Sequence, residues 1–89
     1  MKKGYYVYIL KILGNRNLTY VGYTKDLHKR IKLHNSSKGA KFTRGRKWKL
    51  IYKEYYLRKS EAISREYYIK NNKALRNKIK NENFNSITL

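Results

Sequence analysis

Three side chains able to do chemistry stand where the sequence pattern asks for apolar ones. In TYVGYTKDLHKRIKLHN, Thr19 to Asn35, Leu27 and Ile31 form the inward stripe of a helix, and positions three and seven after Leu27 lie on that same side. Those positions are Arg30 and His34. Burying part of a guanidinium beside a core is costly unless an anion pairs with it. The third residue is Glu66, three positions after Ile63 and three before Ile69, on or beside the buried stripe of a second helix. A carboxylate there needs a cation: Arg30, Arg65, a lysine or a divalent metal. For His34 alone, a hydrogen-bonded residue at a helix C-terminus is a sufficient reading, and for Arg30 alone a snorkelling side chain. A base, a cation and a metal ligand together are what phosphodiester hydrolysis requires.

Charge points to the same substrate class. Lys and Arg number 23 against 5 Asp and Glu, a formal +18 on 89 residues. Self-repulsion of that size destabilises a compact state, and a polyanionic partner explains it. Nucleic acid is the expected partner, because neutralising phosphates releases counterions. A membrane partner is not expected: no segment approaches the roughly 20 apolar residues of a span, and no amphipathic helix carries a Trp or Phe face. The chain has no cysteine, so neither disulfides nor thiolate metal sites enter, and a reduced, cytoplasmic setting fits. The start, MKKGYYVYILKILG, is read as mature protein, since Lys11 interrupts the apolar run.

Scarcity makes each acid informative. Asp26 and Glu61 sit at helix starts, where the macrodipole favours negative charge. Glu82 lies in a polar tail, and Glu54, with a lysine beside it in a strand, is expected to be solvated.

The positioning elements follow from pattern. Tyr5 to Leu13 and Leu18 to Tyr23 read as strands joined by the turn GNRN, and Trp48 to Leu57 as a third strand. Asp26 or Thr24 caps a helix running to about His34. NSSKGAKFTRGRK, Asn35 to Lys47, is an exposed basic loop. Ser60 is expected to cap a second helix with Ala62, Ile63, Tyr67 and Ile69 inward. A third helical piece around Leu75 and Ile79, with Phe84 and Ile87, closes the core. The expected fold is α+β: a small three-stranded mixed or antiparallel sheet flanked by helices, in the order β-β-α-β-α-α. One domain over residues 1–89 is expected, with its core at about 4–80 and a tail at 81–89. Tyr8 and Tyr20 share a face of the hairpin if Gly14 pairs with Leu18 around a three-residue loop, the register predicted, or if a bulge has the same effect.

On these residues the chain resembles the GIY-YIG nuclease family, in its short stand-alone bacterial form. YVY, Tyr6 to Tyr8, and YVG, Tyr20 to Gly22, stand for the two triplets. The helix supplies Arg30 and His34, and REYYIK, Arg65 to Lys70, resembles the segment carrying the family's glutamate at Glu66. The resemblance implies that Tyr20 positions or deprotonates the attacking water, with Tyr8 hydrogen-bonding nearby. Arg30 holds the scissile phosphate, His34 receives or relays the proton, and Glu66 binds one Mg²⁺ or Mn²⁺, the only cofactor implied. Tyrosine, with a pKa of about 10, needs a nearby cation or metal to act as a base at neutral pH. The chain departs from the family pattern at Tyr6, Val7 and Val21, and at Tyr23, whose bulk narrows the site. Many members add a C-terminal asparagine, for which Asn71, Asn72, Asn77, Asn81, Asn83 and Asn85 are all available.

Lys29, Lys38, Lys41, Arg44, Arg46 and Lys47 are expected to grip phosphates without reading bases. The expected function is therefore metal-dependent endonucleolytic cleavage of DNA, selective for structure rather than sequence, as in repair or recombination. The alternative is a non-catalytic RNA- or DNA-binding module whose exposed tyrosines stack unpaired bases. KGYYVYI, from Lys3, partly resembles an aromatic RNA-binding strand, although the order of elements does not follow that fold.

Overall fold

The computed structural model describes residues 4–14 and 16–86, with side chains as far as 82. Strands β1 (Tyr5–Ile12) and β2 (Thr19–Thr24) are followed by helix α1 (Leu27–Asn35), strand β3 (Trp48–Tyr56), and helices α2 (Lys59–Lys70) and α3 (Lys73–Ser86). The sheet order is β2-β1-β3 and both pairings are antiparallel, so no mixed pairing occurs among the described strands.

The central strand explains the layering. Val7 to Leu10 are fully buried, as in a strand covered on both faces. Val7 and Ile9 join Val21, Ile51, Ala62, Ile69 and Ile79 in one cluster, beneath α2 and α3. Tyr8, Leu10 and Ile12 join Leu27 of α1 and Trp48 in the other. A bulge at Ile51, where β1 steps from Tyr52 to Leu50 between Ile9 and Leu10, turns Ile51 and Tyr52 to the first cluster and Leu50 to the second.

Tyr8 and Tyr20 do share a face: Tyr8 lies opposite Gly22, and Tyr20 opposite Leu10. The register differs from the one expected, because Ile12 rather than Gly14 donates to Leu18 (3.0 Å), leaving a longer loop of the same parity. Asn15 of that loop, the Phe84 side chain and Ile87 lie outside the described residues.

Helix α1 starts as expected, with the Asp26 carboxylate accepting from the Lys29 N–H at 3.1 Å. Helix α2 does not: Arg58 holds the cap position with no side-chain hydrogen bond, and Ser60 lies within the first turn. Its inward side is Ala62 and Ile69, with Arg65 and Glu66 half-buried between them, while Ile63 and Tyr67 are exposed. Glu66 thus reaches the expected stripe through Ala62 and not through Ile63. Nor is Glu54 solvated. It accepts from the Tyr52 and Tyr56 hydroxyls and forms a bidentate pair with Arg65 (2.8 and 2.9 Å). That pair holds α2 against β3 and takes Arg65 away from Glu66.

Candidate active site

A cleft of about 310 Å³ is lined by Tyr8 of β1, Tyr20, Gly22, Tyr23 and Thr24 of β2, Arg30 of α1 and Glu66 of α2. Residues from both faces of β2 line it, so it lies along the free edge of the sheet. There the helices packed on opposite faces come within reach of one another. Tyr23, the bulky departure, forms part of the wall.

Gly22 has a steric reason to be glycine. A Cβ there would lie 2.5 Å from the Tyr8 hydroxyl oxygen and 2.7 Å from its Cζ. The backbone of β2 makes room for the phenol of β1, a close approach only glycine permits.

His34 is fully buried and lies behind Tyr8 instead of lining the cleft. Its hydrogen bonds assign its tautomer. Thr43 gives its one hydroxyl proton to the Ala40 carbonyl at 2.8 Å, so at 2.9 Å from His34 Nδ1 its oxygen accepts. The proton therefore sits on Nδ1, and Nε2 accepts from the Tyr8 hydroxyl at 2.8 Å. Burial and the nearby Arg30 charge push His34 down to about 4, so it is neutral at pH 7. Burial pushes Tyr8 up to about 12, against the pull of the Arg30 guanidinium beside it. Tyr8 keeps its proton and points it at a neutral imidazole.

Thr43 was not legible in sequence. It is the one fully buried residue of a loop otherwise read as solvated, in a 3₁₀ turn at Lys41–Thr43. Aromatic packing holds the turn: Phe42 lies against Tyr20 (6.3 Å, 20° between rings) and Trp48 (5.8 Å), and the Trp48 indole donates to the Thr43 carbonyl at 3.1 Å. An unbroken apolar neighbour, Phe42, among basic residues was the available signal.

Arg30 is half-buried, and its Nε is buried without a hydrogen-bond partner. Glu54 pairs with Arg65, and Glu66 with Lys70 at 3.7 Å. Arg30 is in neither. No three-member group of His, Cys, Asp or Glu suited to a metal occurs among the described residues. The one carboxylate in the cleft is Glu66, a hard oxygen donor. That suits Mg²⁺, which takes one or two carboxylates and fills its other positions with water and phosphate.

The expected phosphate grips divide. Lys29, Lys38, Lys41 and Arg44 are exposed. Lys47 donates to the Asn35 carbonyl at the end of α1 (2.7 Å), and the Arg46 guanidinium lies 5.2 Å from the Phe42 ring centre. No asparagine among the described residues lines the cleft. Asn72 instead accepts from the Leu75 N–H at the start of α3 (3.0 Å), and the side chains of Asn83 and Asn85 lie outside the description.

A three-stranded antiparallel sheet with an edge cleft of three tyrosines, an arginine and a glutamate defines a nuclease-type domain, and the GIY-YIG catalytic domain matches residues 4–80. The chain belongs to that family. Among its relatives, a UPF0213 protein of Clostridium perfringens is 52% identical over 58 residues, 64% of this chain and 60% of the relative. The UPF0213 protein YazA of Bacillus subtilis is 46% identical over 59 residues, 65% of this chain and 58% of the relative. Both matches span about three fifths of the relative's length. The solution NMR structure of the UPF0213 protein BH0048 of Bacillus halodurans superposes with a TM-score of 0.54 at 38% identity, covering 88% of this chain and 83% of that one. No helix among the described residues is long and apolar enough to cross a membrane.

Proposed function

We propose that the protein is a metal-dependent endonuclease that hydrolyses phosphodiester bonds in DNA. The observation that carries this reading is Arg30: a half-buried cation with an unpartnered Nε, in one cleft with Glu66, Tyr8 and Tyr20. A buried donor without a partner calls for an explanation, and a phosphate from outside provides one.

Arg30 holds the non-bridging oxygens of the scissile phosphate and stabilises their growing charge. Tyr20 orients the attacking water from the cleft wall. Tyr8 Oη takes the proton from that water while passing its own proton to His34 Nε2. Arg30 is one of the two causes that hold His34 down, so phosphate bound at Arg30 raises the proton affinity of Nε2 when it is needed. Glu66 would hold Mg²⁺ or Mn²⁺, which supplies neutralisation of charge on the phosphate and the leaving oxygen. A single carboxylate, already near Lys70, implies weak metal affinity before substrate arrives. The exposed loop lysines contact backbone and not bases, which favours selectivity for DNA structure and a role in repair or recombination.

The test is cleavage of end-labelled single-stranded, duplex, flapped and branched DNA, and RNA, with Mg²⁺ or chelator, beside Glu66→Ala. The expected result is cleavage by the wild type only with metal, and a Glu66→Ala protein that binds without cutting. Equal binding with no cleavage of any substrate would assign the protein to non-catalytic binding.

A further inference from the structure

A second concavity, of about 470 Å³, adjoins the candidate active site, and Tyr20 lines both. One wall is α3, which turns Lys73, Arg76, Asn77 and Lys80 to it. These are positions i, i+3, i+4 and i+7, one helical face, beside the face that buries Ile79. Lys70, at the end of α2, lines the groove as well, as does Phe42. No acidic side chain among the described residues lines the groove.

We propose that this groove is a phosphate-binding track for the nucleic-acid strand as it leaves the cleft, a second grip distinct from the basic loop. The track rests on the nuclease reading for its direction but not for its ligand.

Three observations support it. The basic face is held in shape: the Arg76 guanidinium donates to the Ile69 carbonyl at 2.9 Å and to that of Lys70, tying α3 to the end of α2. The track also meets the reaction centre physically. Lys70 Nζ lies 6.0 Å from the Tyr20 ring centre and 3.7 Å from Glu66, so one ammonium borders both concavities. Finally, the cations crowd one another. Burial and the charges of Lys11, Lys73 and Arg76 hold Lys80 below the usual lysine range, a repulsion that a polyanion relieves.

The dimensions fit a strand. Lys73 to Lys80 spans about 10.5 Å at 1.5 Å per residue, which is about three phosphate intervals of roughly 3.4 Å, measured along the axis for one strand of a duplex. An anionic membrane would need a flat or convex basic face, whereas these cations line a concavity together with Tyr20 and Phe42.

The experiment is the salt dependence of oligonucleotide binding in chelator, where no cutting occurs, for the wild type, Lys73→Gln/Lys80→Gln and Lys73→Arg/Lys80→Arg. The Gln pair should flatten the slope of log K against log salt by about 1.4 to 1.8, two phosphates' worth, and the Arg pair should leave it unchanged. An unchanged slope in the Gln pair overturns the track. So does a Gln pair that loses binding to phosphatidylglycerol vesicles but not to oligonucleotide. Cleavage of the same oligonucleotide with Mg²⁺ is scored separately. A flattened slope with no cleavage by any protein keeps the track and refutes the nuclease reading; cleavage with an unchanged slope does the reverse.

Discussion

Replacing Gly22 by alanine tests whether the tyrosine of one strand and the glycine of the next form one mechanical unit. The added Cβ would sit 2.5 Å from Tyr8 Oη, where ordinary contact begins at 3.4 Å, so about 0.9 Å must be found. Tyr8 cannot yield freely. Its ring is fully buried, and its hydroxyl donates to His34, itself fully buried. Retreat toward His34 is blocked, because that ring is backed by Gly39, where even a Cβ would come within 2.5 Å of Nδ1. Movement the other way breaks the hydrogen bond. Overpacking costs about 1–3 kcal/mol and a stranded buried polar pair about 1–3, so Gly22→Ala should lose roughly 2–6 kcal/mol. A domain of this length has about 4–13 kcal/mol in all, at roughly 0.05–0.15 per residue. Urea midpoints for the wild type, Gly22→Ala, Tyr8→Phe and the double variant measure this. Tyr8→Phe already lacks the hydrogen bond to His34, so that loss counts once while the crowding at Cζ (2.7 Å) persists, and the double variant should be more stable than additivity predicts by about 1 kcal/mol or more. A Gly22→Ala protein within 0.5 kcal/mol of wild type, or strict additivity, would refute the reasoning.

Acid should unfold the protein in a window set by His34. Its folded pKa, about 4, lies below the unfolded value near 6.5, so between these the unfolded chain binds the extra proton and stability falls with pH. Urea midpoints at pH 7 and 4.5 should show the wild type losing about 2–3 kcal/mol more than His34→Gln; equal losses would contradict the assignment. Thr43→Val removes the acceptor for Nδ1–H and should cost about 1–3 kcal/mol, with Thr43→Ser restoring most of it. The nitrogen shifts of His34 should show the Nδ1–H tautomer in wild type and Ser, and a changed tautomer population in Val.

The site was legible where residues broke a periodic pattern, and illegible where a partner came from another element. Arg30 and His34 stood out because Leu27 and Ile31 define a helical stripe that both interrupt. Glu66 stood out because acids are so few. Strand alternation accounts for the shared face of Tyr8 and Tyr20, yet alternation fixes only parity, and the loop is longer than the three residues expected. Glu54 departs from the solvated reading because the sequence shows the basic, exposed Lys53 beside it, while its actual partners, two tyrosines and Arg65, sit two residues away on its own strand face and on α2. In α2, Ile63 and Tyr67 carry the apolar signal but face solvent, while Ala62 and Ile69 meet the sheet on the side where Arg65 pairs with Glu54. Thr43 has no periodic context at all, and its burial depends on Phe42 and Trp48 folding the loop back over His34.

The proposed site depends on Arg30 being held for a phosphate. The most direct measurement follows the Arg30 Nε–H resonance by NMR in Glu66→Ala while a short oligonucleotide is added without metal. A downfield shift and slowed exchange are expected at saturation, as the guanidinium with the unpartnered Nε acquires its anion. A resonance unmoved at saturation, while the lysines of the loop shift, would contradict it.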